Sequence, residues 1–232
     1  MQEEHGSGDP APLMIAGYPA VVEEFSHAAV RVFIHRVARL EDHVDRQALL
    51  RDDDVRDPPY WAHLWVGARA LARRLAESAE SSTMAGRRVL DLGCGVGLPG
   101  LVAAVLGAEV WFVDHEAAAL AFVEQSARRN GFRQIRALRL DFNRESLPVD
   151  FDVILGAEIV YDPVSYAPLC EFLVRHLRKD GEIMLTDAFR SDAERFFSDL
   201  RGRGFEGRRE PRREWEDGRP QGLFLWTFRR SG

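Results

Sequence analysis

The chain is nearly without lysine. Of 31 basic residues only Lys179 is a lysine, and the others are arginine. That excludes a phosphate-gripping loop of the G-x-x-x-x-G-K-[ST] type. It also argues against a Schiff-base enzyme, because Lys179 stands in RKDGE, which reads as a helix end followed by a turn. Cysteine is almost as scarce. Cys94 and Cys170 make no disulfide framework, so a cytoplasmic setting is the expectation. No apolar run reaches the length of a membrane span, and MQEEHGSGDPAP at the N-terminus lacks the basic-then-apolar order of a secretory signal. The seven histidines show no metal-ligand spacing and no G-x-S-x-G elbow occurs, so no metal is expected and no serine-hydrolase site. A net charge of −6 argues against a general nucleic-acid binder.

What is present is an ordinary soluble composition, 46% hydrophobic and 29% charged, in a length that suits one α/β domain with a small extension. From Arg87 onward strands and helices alternate. RVLDL is followed by GLPGLVAAVLG, and EVWFVD by EAAALAFVEQSARRNG. The strand IRALRLD comes next, then FDVILGAEIV with PVSYAPLCEFLVRHLRKDG, and EIMLTDA with SDAERFFSDLRGRG. FEGRREPRREW, a turn at EDGRPQG and LFLWTFRR make a terminal hairpin. The pattern predicts a Rossmann-like, doubly wound, mostly parallel seven-stranded sheet with an antiparallel C-terminal hairpin. Ahead of it the sequence predicts a small β/α extension over 1–56. In that extension 1–12 are disordered, Val21–Val37 form one or two strands and 44–53 form a short helix. The main domain then runs over 57–232, opening with a helix through DPPYWAHLWVGARALARRLAES. Residues 201–230 hold nine arginines against five acids, which suits a solvated mixed-charge hairpin or a surface facing a partner.

Residues 89–100, VLDLGCGVGLPG, are the most informative stretch. A strand ending in glycines and breaking straight into a helix lets backbone pass close to a ligand at the carboxyl end of the sheet. Gly95, Gly97 and Gly100 fit the dinucleotide spacing G-x-G-x-x-G. Gly93, Gly95 and Gly97 fit G-x-G-x-G with Asp91 two residues ahead. A carboxylate aimed into the turn would repel a pyrophosphate and attract the ammonium and sulfonium of S-adenosylmethionine. Asp91 therefore favours that cofactor, with a nicotinamide dinucleotide as the alternative. Cys94 reads as a small residue in a crowded turn rather than a nucleophile.

Other candidates sit at strand ends. Asp114, with His115 beside it, closes the second strand, where an acid can accept from ribose hydroxyls or cap the next helix. Asp141 and Phe142 follow the third strand, placed to hold and cover an adenine, or to form a D-F-N turn. Glu158 ends an apolar strand, where an unpartnered carboxylate costs several kcal/mol. It faces the active-site crevice together with Tyr161, or caps the helix near Pro163. Tyr60, Trp61 and Trp65 lie in the segment before the core, as core residues or as a lid; Trp61 and Trp65 fall on one helical face.

With these residues assembled, the chain resembles the class I, seven-β-strand S-adenosylmethionine-dependent methyltransferases over residues 57–229. Their seventh strand is antiparallel. Within that class it is most similar to the protein-lysine methyltransferases that modify chaperones and the β-subunit of electron-transfer flavoprotein. PYWAHLW, LDF and AEIVY carry the finer likeness, although Val66 stands where a proline is usual. The resemblance implies that Asp91, Gly93, Gly95 and Gly97 line the methionine and ribose portions, and that Asp114 and His115 hold the ribose. Asp141 and Phe142 would hold adenine, and Ala157 and Trp65 would border the methionine. It also implies that Glu158 and Tyr161 are catalytic and face the acceptor, with Tyr60 and Trp61 binding substrate. The expected reaction moves a methyl group to a nitrogen acceptor, a protein lysine, and releases S-adenosylhomocysteine. The alternatives are a small-molecule N- or O-methyltransferase, or a non-catalytic cofactor-binding partner subunit. A monomer is expected, with no nucleic-acid or membrane partner.

Overall fold

A computed structural model describes residues 12–43, 59–78, 84–132, 135–188 and 193–232. The sheet grows from its most apolar strands. β4 (Arg88–Leu92), β5 (Glu109–Asp114), β7 (Phe151–Ala157) and β8 (Leu177–Asp187) are buried along most of their length, as strands covered on both faces must be. With β6 (Arg136–Arg139), β9 (Phe205–Glu216) and β10 (Arg219–Arg230) they form a seven-stranded sheet of order β6-β5-β4-β7-β8-β10-β9. The first five of these pair in parallel, while β10 runs antiparallel to both β8 and β9. Asp217 and Gly218, both at positive φ, close the hairpin in the two-residue form that the strand twist prefers.

Helices cover both faces. α1 (Val66–Glu77), α2 (Leu98–Val105) and α3 (Ala117–Arg129) share one core with Val89, Phe112 and Val153. α4 (Tyr166–His176) and α5 (Ala193–Gly202) share the other with Leu90, Leu92 and Ile154. The chain lays β5 and β6 on one side of β4 and β7 on the other, so its direction of winding reverses beside β4. Such a reversal opens a crevice at the carboxyl ends of the strands.

The extension is a three-stranded antiparallel sheet, β1 (Leu13–Ile15), β2 (Tyr18–His27) and β3 (Val30–Val37). The alternation over Val21–Val37 predicts one or two strands; the third, β1, is too short to show a period. Phe25, Val32 and Ile34 enter the main core. Asn130 at the end of α3 continues the β3 edge, accepting from Phe33 N–H at 2.9 Å and donating to its carbonyl at 2.6 Å. The 44–53 helix, residues 1–11 and Asp57 lie outside the described residues.

Three local expectations are corrected. The helix expected across 57–78 begins only at Val66. Tyr60–Ala62 is a 3-10 turn, so Trp61 and Trp65 do not share a helical face. Trp61 instead packs edge-on to Tyr18 and tilted against Phe122, in the core under the small sheet. The fourth strand stops at Ala157, because Glu158 turns into the left-handed region at φ 55°. The turn expected at RKDGE is a bulge inside β8. Phe151 pairs with Leu177 and Val153 with Glu182, so the intervening residues swell out of the ladder. Among the described residues, no helix is long and apolar enough to cross a membrane.

Candidate active site

The glycine turn after β4 is built from left-handed residues. Gly93, Gly95 and Gly97 have φ of 60°, 51° and 80°. A Cβ on Gly95 would stand 2.9 Å from the Trp61 carbonyl oxygen, a backbone atom, whereas on Gly93 or Gly97 it would meet side chains. The aromatic segment and the glycine turn are therefore in direct backbone contact. Gly97 begins α2 without a side-chain cap, and the missing cap comes from below. Asp91 Oδ2 accepts from Gly100 N–H at 2.8 Å inside the first turn of the helix.

This placement corrects the expectation for Asp91. Side chains alternate along β4, and Asp91 shares a face with Val89, toward α2, while Leu90 and Leu92 face the other way. Asp91 is 1% exposed and is not part of the crevice wall. Burial pushes its carboxyl up to about 8, against the pull of the Gly100 N–H; the nearby Asp114 adds to the rise. Asp91 supports the turn from beneath rather than greeting a ligand above it.

The crevice consists of two adjoining hollows of about 120 and 220 Å³. Gly93, Asp114, His115, Phe142, Ile159 and Tyr161 border both. Toward α1 the wall is Tyr60, Trp61, His63, Trp65, Ala157 and Glu158; toward β6 it includes Asp141 and Asp162. A larger hollow of about 560 Å³ lies between α1 and the hairpin, lined by Arg74, Arg208, Arg229 and three glutamates, and holds none of these groups.

Charge is the telling property of the crevice. Among the described residues its wall carries four carboxylates, Asp114, Asp141, Glu158 and Asp162, and two histidines, His63 and His115, but no arginine or lysine. That holds in a chain with 31 basic residues. A pyrophosphate would face these carboxylates, with the exposed Arg144, 3.6 Å from Asp141, as a nearby counter-charge, whereas a cation would meet several.

Asp114 Oδ2 accepts from Gly95 N–H and Oδ1 from Glu116 N–H, both at 2.9 Å. It therefore ties the glycine turn to the end of β5 and caps the approach to α3. Burial raises its carboxyl, and the two backbone donors work against that rise. Each oxygen keeps a second lone pair for a hydroxyl donor. His115 beside it is exposed. Asp141 forms the local turn that its sequence allowed, accepting from Asn143 N–H at 2.9 Å, while Phe142 reaches the wall of both hollows.

Glu158 is the most constrained residue of the site. It is 8% exposed and left-handed, and its Oε1 accepts from Gly67 N–H at 2.9 Å. Gly67 is the second residue of α1, a helix with no side-chain cap of its own and no acid in its first turn. Glu158 thus caps α1 from across the fold, not the helix near Pro163, whose turn is capped by Asp162 through Val164 N–H at 3.0 Å. Thr186, opposite Ala157 on β8, is buried beside this contact with its Oγ1 unpartnered among the described residues. A Cβ on Gly67 would stand 2.4 Å from Thr186 Oγ1 and 2.6 Å from Glu158 Cγ. Tyr60 and Tyr161 flank the crevice, 56% and 59% exposed.

The structure therefore brings Tyr60, Trp61, Trp65, Gly93, Gly95, Asp114, His115, Asp141, Phe142, Ala157, Glu158 and Tyr161 to one crevice. Gly97 stands one step back as the N-cap of α2, and Asp91 beneath it. Sequence reasoning missed Gly67, Thr186, His63 and Asp162. Only Asp162 had a local signal, as an acid directly before a proline turn.

Comparison with known proteins bears on the fold and the family. N-methyltransferase NodS from Bradyrhizobium japonicum, solved with S-adenosyl-L-homocysteine, superposes with a TM-score of 0.58 at 19% identity; the match covers 80% of this chain and 98% of NodS, a likeness of fold. Protein N-lysine methyltransferase METTL21A of Danio rerio is 36% identical over 126 residues, covering 51% of this chain and 57% of that protein. The electron transfer flavoprotein beta subunit lysine methyltransferase of Xenopus laevis is 32% identical over 132 residues, covering 55% and 51%. The chain thus spans little more than half the length of these two relatives. A family model described as lysine methyltransferase matches residues 45–203, well over half of the chain. The chain belongs to the lysine methyltransferase family.

Proposed function

We propose that the protein transfers a methyl group from S-adenosylmethionine to the side-chain amine of a lysine in another protein. One observation carries the reading: a crevice walled by four carboxylates, without an arginine or lysine among the described residues. Both reactants of that transfer are cations. Membership of the lysine methyltransferase family supports the same chemistry.

The residues present fit the cofactor. Asp114 has lone pairs left for ribose hydroxyls, and His115 stands beside it. Asp141 and Phe142 would take the adenine edge and face. The turn at Gly93–Gly97, with Ala157 and Trp65, would border the methionine part. When bound, S-adenosylmethionine supplies an electrophilic methyl on a sulfonium.

The chain's own work is positioning. An acceptor amine must reach the methyl on a line, at about 3–3.5 Å. Glu158 is the carboxylate placed to receive the incoming ammonium, with Tyr60 and Tyr161 at the mouth. Its charge is stabilised by the N-terminus of α1, which suits an anchor better than a base. A lysine ammonium has an ordinary pKa near 10.4, and a carboxylate beside it holds the proton more firmly. Desolvation by the apolar walls of Trp61, Trp65 and Ile159 works against that hold, and the proton leaves to water before the neutral amine attacks the methyl. The same reading makes the protein a cytoplasmic monomer acting on protein. Both cysteines are buried free thiols, compatible with a reducing compartment.

The test is transfer of tritiated methyl from the cofactor into cell lysate, followed by acid hydrolysis of the protein fraction. Label is expected in methylated lysine. Label confined to small molecules, or tight cofactor binding with no transfer at all, would replace this reading with one of its alternatives.

A further inference from the structure

The terminal hairpin is longer than the sheet it closes. β10 pairs with β8 from Phe224, opposite Asp187 at the end of β8, to Arg229. Arg219–Leu223 run on past that edge, paired only with Arg212–Glu216 of β9. At about 3.3 Å per residue this arm overhangs the carboxyl edge, where the crevice opens, by roughly 16 Å. A bare two-stranded ribbon is marginal in water. Here one of its faces is fastened to α1. Arg74 meets Glu210 at 3.3 Å, Arg212 meets Glu77 at 2.9 Å and Arg73 meets Glu214 at 3.0 Å. Glu216 near the tip reaches His63 on the crevice wall at 2.9 Å.

Because side chains alternate, the opposite face belongs to Pro211, Arg213 and Trp215, with Pro220 across from Trp215. Trp215 is 64% exposed. Arg213 is exposed as well, and no ion pair joins it to a described residue. Tryptophan and arginine are the residue types that most often anchor protein interfaces. The crevice and this face of the arm therefore differ in sign, with carboxylates at the first and the Arg213 guanidinium at the second.

Given the lysine-methyltransferase reading, on which this inference rests, we propose that the free face of the β9–β10 arm docks the acceptor protein. The surface it fits is an acidic patch beside the target lysine. The lysine enters the carboxylate-lined crevice while its acidic surroundings meet Arg213, and Trp215 packs at the centre. A nucleic acid would bring phosphates to the four crevice carboxylates, and a small acceptor would not need the arm.

The experiment compares the 232-residue chain with its Trp215→Ala and Arg213→Glu variants. The probe is tritiated S-adenosylmethionine in lysate of cells lacking the protein. Self-labelling adds little background, because the single lysine, Lys179, sits near the start of β8, at the opposite end of the strand from the crevice. Both variants should label lysate protein about tenfold more slowly or worse, the scale of a truncated interface anchor. Their affinity for S-adenosylhomocysteine and their melting temperature should stay at the wild-type values. Added salt should slow the wild type more than Arg213→Glu. Equal labelling by all three proteins overturns the docking surface and leaves the methyltransferase reading standing. No protein labelling by the wild type removes both.

Discussion

Replacing Glu158 by alanine and by glutamine separates its two tasks. The first is structural: Oε1 accepts from Gly67 N–H at 2.9 Å and is the side-chain cap of α1. A hydrogen bond to a charged group contributes about 1.5–3 kcal/mol, and a negative charge at a helix N-terminus about 0.3–1 kcal/mol more. Glu158→Ala loses both and leaves a buried donor, so it should cost about 3 kcal/mol, a fall of roughly 10 °C in melting temperature for a chain of this size. Glu158→Gln keeps an oxygen for the Gly67 N–H and loses only the charge, so the cost should be about 1 kcal/mol. Both variants keep the same left-handed backbone, whose strain cancels in the comparison. The second, on the proposed function, is anchoring the acceptor, which needs the charge. Turnover should therefore fall by ~10² or more in both variants, with affinity for S-adenosylhomocysteine preserved. Thermal melts, calorimetric titration and methyl-transfer rates on the same preparations are the assays. Wild-type turnover in Glu158→Gln refutes the anchoring role, and an unchanged melting temperature in Glu158→Ala refutes the cap.

Three further outcomes follow from buried groups. Asp91 holds its proton up to about pH 8 in the folded chain, and an unfolded aspartate loses it near 3.8. Between those values the folded state binds the extra proton, so each unit rise in pH costs up to about 1.4 kcal/mol. Asp91→Asn keeps an acceptor for Gly100 N–H and should flatten that slope in melts between pH 5 and pH 8, both ordinary buffers chosen inside this window; a slope equal to wild type would contradict the assignment. Thr186→Val removes a buried hydroxyl that has no partner among the described residues, so stability in urea should rise by about 1 kcal/mol, and a loss would show that the hydroxyl is satisfied. Gly67→Ala forces a Cβ against Thr186 Oγ1 and Glu158 Cγ; it should cost about 1–3 kcal/mol and lower turnover at least tenfold, and wild-type activity would show that Glu158 does not depend on this approach.

The fold was legible because strand and helix periods alternate cleanly and because β4, β7 and β8 are apolar on both faces. The strand-end candidates were legible for the same reason: a polar residue closing an apolar strand has few places to go except the crevice. What could not be read was direction. Asp91 stands one residue before the end of β4 and Glu158 one residue past the end of β7, yet Asp91 turns beneath the glycine loop because period-two alternation aims it at α2. Glu158 turns toward α1 because its own backbone enters the left-handed region. The start of α1 was misplaced because its cap comes from a residue 91 positions away, outside any local window. The absence of arginine from the described crevice wall was equally hidden, since only the folded chain shows where the arginines pair. The preference for a cationic cofactor, argued in sequence from Asp91, rests in the structure on Asp114, Asp141, Glu158 and Asp162.

The most direct measurement is calorimetric titration of the protein with S-adenosylhomocysteine and, in parallel, with NAD. A crevice of carboxylates should give saturable heat with the amino-acid-bearing adenosyl compound and none with the dinucleotide. Binding of NAD as tight as, or tighter than, that of S-adenosylhomocysteine would contradict the account.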